Sequence, residues 1–352
     1  MKNIMLKIFF ILYLLTFMSV EIAALIVGSL TTPSNQVSIT FPNADTNNTM
    51  LGFAFFEQGF TLQSATTTCT FNNFYPVSGL INLNNGVLVL KRDFIYSNTS
   101  ATVTVFGGGV ILGNNYSLEL PKALTEFSFP TSLLRVKDLS VVLNSDTNLL
   151  SQLHCGGACK ISGRWKNLTF KSGSSIIVRP RSQLIFENVE FKNLRGGVIR
   201  CLDDSASIIF RSCTLNLSGE YTFSRGSILF DEDTIITGTN KFNYTTRLTS
   251  SIASKATLLF GLNTTFSYAP ARANRDLLFF SDATSVLHLQ GATLISTRTG
   301  INLATGTLVI DQNVTMSSQA KFNAEALKIN NSLTLQVLGG ANLNLFGKIR
   351  YE

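Results

Sequence analysis

Charged residues are scarce in this chain of 352 residues, of which only 14% are Asp, Glu, Lys or Arg. Histidine and tryptophan are rarer still, with two and one, whereas phenylalanine occurs 27 times. Soluble proteins usually carry about a quarter of charged residues, and Asn, Ser, Thr and Gly take their place here. This composition is typical of an all-β extracellular protein and argues against a cytosolic enzyme. The hydrophobic content of 45% is too high for a disordered chain and allows a large core.

Long apolar runs are absent except at the N-terminus, where Ile8–Val20 is almost uninterrupted. Small residues follow at Ile22–Ala24, which predicts a signal peptide over residues 1–24 with cleavage near Ala24. The alternative is an uncleaved anchor, because Ile8–Val27 is long enough to span a membrane if Glu21 is tolerated. We therefore expect an exported protein, secreted or at the surface of the cell envelope, that contacts a membrane only through an uncleaved signal.

Positive charge is concentrated in one segment. The formal net charge is +7, and removal of residues 1–24 leaves +6, because it takes away two lysines and one glutamate. Lys160–Arg211 alone holds ten Lys or Arg and four Asp or Glu. Such a basic belt predicts anionic partners, such as acidic glycans or another cell-surface component, and no specific nucleic acid. The alternative is that these cations are solvated outward positions of strands.

Cysteine is also infrequent, with five residues in the chain. Export would permit disulfides, and Cys155 with Cys159 and Cys201 with Cys213 are the candidate pairs. Cys69 would remain unpaired. The odd count and the length of the chain argue against a fold that depends on disulfides.

A four-residue motif recurs along the chain: a small or polar residue, any residue, a polar residue and a large apolar residue. Successive copies begin 19 to 31 residues apart, and most follow a second short apolar run. The runs alternate apolar and polar residues over a length typical of strands and too short for helices. The copies are DLSV at 138, NLTF at 167, NVEF at 188, SCTL at 212, EDTI at 232, NTTF at 263, GATL at 291, NVTM at 313 and SLTL at 332.

These repeats predict an all-β fold, a single-stranded parallel β-helix in which each repeat forms one turn of a solenoid. Residues 79–352 have room for ~11–12 turns. Asn167 and Asn188 should then stack at one bend, and Phe170 and Phe191 should be neighbours in the core. A β-sandwich would need hairpins every ~8–12 residues, and a β-propeller would need units of ~40–50 residues.

The region before the solenoid differs in composition. Residues 25–44 are predicted to be a polar linker. Residues 45–78 include the aromatic cluster Leu51–Leu62 and are predicted to form an N-terminal cap, because an open solenoid end exposes its core and unpaired strand edges.

The repeat resembles the pectin-lyase-like superfamily of right-handed parallel β-helices. The resemblance rests on LIFENVEFKN, IIFRSCTLNLSG and TLVIDQNVTMSS and on the register of ~22 residues over most of the solenoid. In character the chain is most similar to non-catalytic passenger regions of autotransporters and polymorphic surface proteins. The resemblance implies an architecture but not an activity, since the superfamily contains both polysaccharide-degrading enzymes and adhesins.

The enzymatic branch of the superfamily can be compared residue by residue. Asp203 and Asp204 match the paired acids of polygalacturonases, and they are weak candidates for general acid/base catalysis. However, no N-T-D, G-H-G or R-I-K sequence occurs. Asp231, Glu232 and Asp233 form the only acidic triplet and are weak candidates for a calcium site. The alternative for both groups is turn chemistry at an exposed edge.

The sequence therefore predicts a non-catalytic protein with an adhesion, binding or envelope-structural role and without a cofactor. The alternative is a polysaccharide lyase or glycoside hydrolase that acts on acidic glycans. Binding residues are expected where turns are long, since loops on a rigid scaffold commonly carry function. The predicted contacts are Arg164, Trp165, Lys166, Arg272 and Arg275.

Overall fold

The computed structural model describes residues 133–272, 277–297, 299–319 and 324–351, together with shorter stretches between residues 37 and 127. The predicted signal peptide and nearly all of the predicted linker lie outside the described residues. In the described parts the regular secondary structure is entirely β-strand. No helix there is long and apolar enough to cross a membrane.

The strands are short, and several run through a bend without interruption. In the first part of the chain they are β1 (Val37–Ser38), β2 (Asn47–Phe56), β3 (Gly59–Thr61), β4 (Thr68–Pro76), β5 (Leu80–Asn82), β6 (Val87–Leu90), β7 (Phe94–Ile95), β8 (Phe106–Gly107), β9 (Gly109–Leu112), β10 (Ser117–Glu119), β11 (Glu126–Phe127), β12 (Leu134–Lys137), β13 (Ser140–Val142), β14 (Thr147–Leu149), β15 (Gln152–Gly156), β16 (Ala158–Phe170), β17 (Ser175–Val178), β18 (Gln183–Gly196) and β19 (Ile199–Cys201). In the second part they are β20 (Ser207–Arg211), β21 (Cys213–Phe223), β22 (Ser227–Phe230), β23 (Thr234–Thr237), β24 (Lys241–Tyr244), β25 (Ser250–Ile252), β26 (Thr257–Phe260), β27 (Thr265–Tyr268), β28 (Leu278–Phe280), β29 (Val286–Gln290), β30 (Thr293–Ser296), β31 (Thr299–Leu303), β32 (Gly306–Asp311), β33 (Asn313–Ser318), β34 (Glu325–Ile329), β35 (Leu333–Val337), β36 (Asn342–Phe346) and β37 (Lys348–Tyr351).

The strands stack as a parallel β-solenoid of about ten turns, which confirms the predicted fold class. Most turns contribute three strands, and most strands pair in parallel with the equivalent strand of the next turn, although β19 and β28 pair on one side only within the described residues. One face contains β12, β15, β17 and β19 in that order. The described pairings include no antiparallel hairpin of the kind that a sandwich or a propeller requires.

Alternation along each strand builds the core. In β12, Leu134 and Val136 are buried whereas Arg135 and Lys137 are exposed, as expected when successive side chains point to opposite faces of a strand. Because turns stack at ~4.8 Å, inward residues of equivalent strands form continuous ladders. Phe186, Phe210 and Phe230 form one such ladder, with ring centroids 5.6 and 5.9 Å apart.

The two motif copies NLTF and NVEF are neighbours in space, although they are not in the predicted register. The rings of Phe170 and Phe191 stack with centroids 6.4 Å apart, which confirms that contact. The predicted stacking of Asn167 on Asn188 is wrong, because Asn167 pairs with Glu190. The cause is a longer bend in the earlier turn, where Gly163–Trp165 lies opposite Asn188 alone.

The two ends of the described stack have fewer strand pairings than its middle, and the C-terminal end is also more exposed. Strands within the predicted cap, β2 and β4, pair in parallel with each other, and β4 pairs with β6 of the following turn. At the other end β35, β36 and β37 each pair on one side within the described residues. Their apolar side chains are correspondingly open: Val337 is 52% exposed and Phe346 is 44% exposed.

A candidate anion-binding face

The outward side chains of β12, β15, β17 and β19 form a surface that is named here the arginine face. Arg135, Lys137 and Arg200 lie on these strands, and Arg179 directly follows β17. All four of these cationic residues are exposed. Their outward direction follows from the alternation described above. Each of these cations follows a residue that is inward and apolar, so its own side chain points outward.

Strand register brings residues of four different turns into one row. Arg135 pairs with His154, His154 with Ile177, and Ile177 with Arg200. Ile177 is outward in this row and yet only 2% exposed, so the surrounding side chains close over it. Arg135 and Arg200 therefore stand three strand spacings apart, or ~14 Å.

A second row lies beside the first. Lys137 pairs with Gly156, and Arg179 follows on the next turn. A Cβ atom built on Gly156 would lie 3.8 Å from Arg179 Cδ and 3.9 Å from Lys137 Cγ. The stems of both cations thus flank Gly156, two strand spacings or ~10 Å apart, with no side chain between them.

The arginine face gathers four cations without a salt bridge on one face, whereas several cations on other faces are ion-paired. Some other cations of the basic belt have carboxylate partners: Lys160 with Glu187 at 2.6 Å, Arg211 with Asp231 at 2.7 Å, and Lys192 with Glu190. Lys166, Lys171, Arg181 and Arg195 form no salt bridge within the described residues, but they do not lie on this face. Among the described residues, Arg135, Lys137, Arg179 and Arg200 form no salt bridge. The nearby acids are used in turns, since Asp138 Oδ1 accepts a hydrogen bond from the Ala158 amide at 2.8 Å.

The positive charge of this face affects the protonation of His154. Burial lowers the pKa of its imidazole, and the charges of Arg135, Arg179 and Arg200 lower it further. The imidazole is consequently neutral near pH 7. Its Nε2 atom is buried and has no hydrogen-bond partner among the described residues, so a polar group is left unsatisfied beside three guanidinium groups.

A cleft of about 560 Å³ opens at the edge of the arginine face. Its floor is the row Gln152, Ser175 and Val198, in which Gln152 pairs with Ser175 and the Ile176 amide donates to Val198 O. Arg195 and Arg200 line its walls, together with Ser174, Gly173, Gly196, Gly197, Gly219 and Glu220.

The predicted binding residues lie elsewhere. Arg164 and Trp165 occupy the bend within β16 at φ values of 47° and 65°, and Trp165 is 68% exposed. Arg164 Nη1 donates to Asn144 Oδ1 at 2.7 Å and Nη2 lies 3.3 Å from Glu119 Oε1, so this guanidinium links three turns.

The other predicted contacts are distributed along the rod. Lys166 is half-buried in the same bend as Arg164. Arg272 is exposed after β27, five turns or ~24 Å further along the stack. Arg275 lies outside the described residues. The structure therefore does not gather the five predicted residues into one site.

The paired acids proposed for catalysis serve as turn caps. Asp203 Oδ1 accepts hydrogen bonds from the Ser205 amide at 2.9 Å and from Ser205 Oγ at 2.7 Å. Asp204 Oδ1 accepts from the Gly226 amide at 3.3 Å. Both carboxylates are thus engaged in the corner that follows β19.

The acidic triplet is divided among three partners. Asp231 pairs with Arg211, Glu232 accepts a hydrogen bond from Ser212 Oγ at 2.6 Å, and Asp233 accepts from the Thr257 amide at 2.8 Å. Within the part of the chain that the structure describes, no group of three His, Cys, Asp or Glu side chains is placed to hold a metal ion.

The four candidate disulfide cysteines are buried free thiols. Cys155 and Cys159 are in hydrogen-bonding contact, which raises the pKa of Cys155 and lowers the pKa of Cys159. Cys213 Sγ instead donates to Arg211 O at 3.3 Å. The pairing of Cys155 with Cys159 and of Cys201 with Cys213 stays a prediction, and the first is the pair that the structure brings into contact.

No protein-family model, curated protein or solved structure matches this chain. Its function has to be inferred from the geometry of its own residues. Sequence patterns identified the basic belt but missed Arg135, which lies before it, and did not single out Arg195 or Arg200. The available signal was the cluster RGGVIR at 195–200, where two arginines flank two glycines and a strand.

Proposed function

We propose that this protein is a secreted or cell-surface β-solenoid that binds anionic glycans without catalysis, through the arginine face. The observation that carries the proposal is the set of four exposed cations on one face without a salt bridge among the described residues. The parallel stack also supports a place for the chain among pectin-lyase-like right-handed β-helices of the non-catalytic, surface-exposed kind.

Unpaired cations on a rigid sheet favour a polyanion for a physical reason. Like charges in adjacent turns repel one another, and an anionic chain laid across the turns removes that repulsion at several points at once. The backbone of the solenoid holds the cations in place, so binding does not have to order a loop. Arg179 and Arg200 can also bind carboxylate or sulfate groups bidentately.

The proposal is tested by comparing two variants with the same loss of charge. Arg135→Gln, Arg179→Gln and Arg200→Gln together remove three cations of the arginine face. Lys160→Gln, Lys192→Gln and Arg211→Gln remove three cations that have carboxylate partners on other faces. Binding to immobilised hyaluronan and heparin is measured by interferometry, with neutral dextran as the negative control.

We expect the first variant to lose at least about tenfold in affinity and the second to lose less than about threefold. Higher salt should weaken wild-type binding, because exposed charges are screened. Equal losses in both variants would mean that only net charge matters and would refute the arginine face as a site. Release of reducing or unsaturated sugar ends by the wild type, abolished by Asp203→Asn with Asp204→Asn, would refute the non-catalytic assignment.

A further inference from the structure

We infer that the cleft beside the arginine face is a subsite for a single anionic sugar unit, one that carries a carboxylate or a sulfate group. The inference rests on the proposed function and gives it a specific point of attachment. The cleft is shallow and open to solvent, and its volume of about 560 Å³ exceeds what an inorganic anion needs.

Ser175 provides the first polar contact. Its side chain is outward in β17, lines the cleft floor and is only 4% exposed. Its Oγ atom is buried and has no hydrogen-bond partner among the described residues. An unsatisfied buried hydroxyl costs free energy, which a ligand oxygen at the cleft floor would recover.

The adjacent serine shows that this situation is particular to Ser175. Ser174 is equally buried at 4% exposure and also lines the cleft. However, Ser174 Oγ donates to Lys171 O at 2.8 Å. One serine therefore has a structural partner, and its neighbour is left for a ligand.

Two guanidinium groups supply the charge. Arg200 Nη1 donates to Gly197 O at 3.0 Å, which holds its side chain against the cleft wall. The guanidinium of Arg195 forms no hydrogen bond or ion pair with the described residues. Its planar fork of donors matches a carboxylate or a sulfate group. The anionic group of the sugar is expected between Arg195 and Arg200.

Glu220 provides the opposite polarity and lies beside Arg195 in the next turn, since Gly196 pairs with Tyr221. Its carboxylate lies 3.7 Å from Lys241 Nζ and accepts a hydrogen bond from Asn243, and it forms no ion pair with Arg195. Gln152 at the floor and Glu220 at the wall can accept hydrogen bonds from sugar hydroxyls. The cleft thus combines two guanidinium groups with acceptors for hydroxyl groups, as a charged sugar requires.

Glycines keep the cleft open. A Cβ atom built on Gly173 or on Gly196 would have nothing within 4 Å, so no side chain fills the space above the floor. A sugar ring can therefore approach the backbone of the walls directly.

The test is titration of the full chain with glucuronate, with a sulfated monosaccharide and with neutral glucose, followed by NMR. We expect saturable binding of an anionic sugar and none of glucose. Arg195→Gln should weaken it at least about tenfold, and Ser175→Ala about two- to tenfold. Two matched controls lie at another corner of the same turn, outside the cleft lining: Ser182→Ala, a buried serine with hydrogen-bond partners, and Arg181→Gln, an exposed cation. Both should leave the affinity unchanged.

Stability separates a ligand-binding role from a structural one. Ser175→Ala removes an unsatisfied hydroxyl, so its melting temperature should equal or exceed that of the wild type. Ser174→Ala removes a satisfied hydrogen bond and should lower it. A lower melting temperature for Ser175→Ala with unchanged sugar affinity would overturn the subsite.

The outcomes distinguish this inference from the proposed function. In one outcome hyaluronan binds the wild type, and Arg195→Gln and Ser175→Ala bind both hyaluronan and glucuronate with the same affinity as the control variants. The subsite is then refuted and the arginine face stands. If glucuronate binds and the polymers do not, the subsite stands and the proposed function falls. Equal binding of glucose would refute the requirement for an anionic group.

Discussion

Removal of the Phe210 ring tests whether the aromatic ladder stabilises the solenoid. Phe210 is 1% exposed and stacks between Phe186 and Phe230, with Phe191 edge-on at 6.1 Å. Phe210→Ala therefore deletes a fully buried ring with partners in two adjacent turns. Such a deletion costs about 3–5 kcal/mol, of which each aromatic contact accounts for about 0.5–1.5 kcal/mol.

The matched control is Phe279→Ala, since Phe279 is outward on β28 and 41% exposed. Its loss should change the free energy of unfolding by about 0.5 kcal/mol or less. Thermal unfolding followed by circular dichroism should show Phe210→Ala melting ~6 °C or more below the wild type. Phe279→Ala should melt close to the wild type.

Hydrogen exchange adds a spatial test. Each turn of a solenoid contacts only its neighbours, so Phe210→Ala should accelerate amide exchange in β18, β20 and β22 and leave β33 unchanged. Equal melting temperatures for Phe210→Ala and Phe279→Ala would refute the ladder as a source of stability. Acceleration spread evenly to β33 would refute the local coupling between turns.

Three further predictions concern single residues. The pKa of His154 in the folded protein lies below its ordinary value of 6.5, so the unfolded state binds a proton more readily and stability should fall as the pH drops below about 6.5. His154→Gln should flatten this part of a plot of melting temperature against pH, and an unchanged slope would contradict the assignment. Burial raises the pKa of Cys201 and of Cys213 to about 12, so iodoacetamide at pH 8 should leave both thiols unmodified until the protein is unfolded. Mass spectrometry measures this alkylation, and rapid alkylation of the native protein would disagree with the structure. Gly226 and Gly173 both have positive φ, but a Cβ atom on Gly226 would lie 2.5 Å from Ala206 O, whereas one on Gly173 would have nothing within 4 Å. Gly226→Ala should therefore lower the melting temperature clearly more than Gly173→Ala, and the reverse order would be inconsistent with the packing around Gly226.

The regular features of the fold were predictable because they are local. Alternation in LIFENVEFKN assigns Phe186 and Phe191 to the core, and both are fully buried. Repetition at ~22 residues then requires neighbouring copies to lie in adjacent turns, as the stacked rings of Phe170 and Phe191 show. The pairing of Asn167 was not predictable in the same way, because two extra residues in one bend shift the register of the strand residues after that bend.

The candidate site depended on contacts between turns. Lys160 and Arg200 both belong to the basic belt, and nothing in their immediate neighbours tells which one has a carboxylate partner. The structure pairs Lys160 with Glu187, 27 residues away, and places Arg200 in a row with Ile177 and His154. Ser175 likewise became a candidate only through its position between Gln152 and Val198.

Alternation acts within a strand and repetition acts between similar copies, so both could be read from the chain and predict a parallel β-solenoid and the residues that face inward. Which cations share a face without a salt bridge, and that Ser175 Oγ has no hydrogen-bond partner among the described residues, could be seen only in the three-dimensional structure. Those properties depend on the length of every bend, which sets the register between turns, and register is a relation between residues about 20 positions apart rather than a property of any one segment.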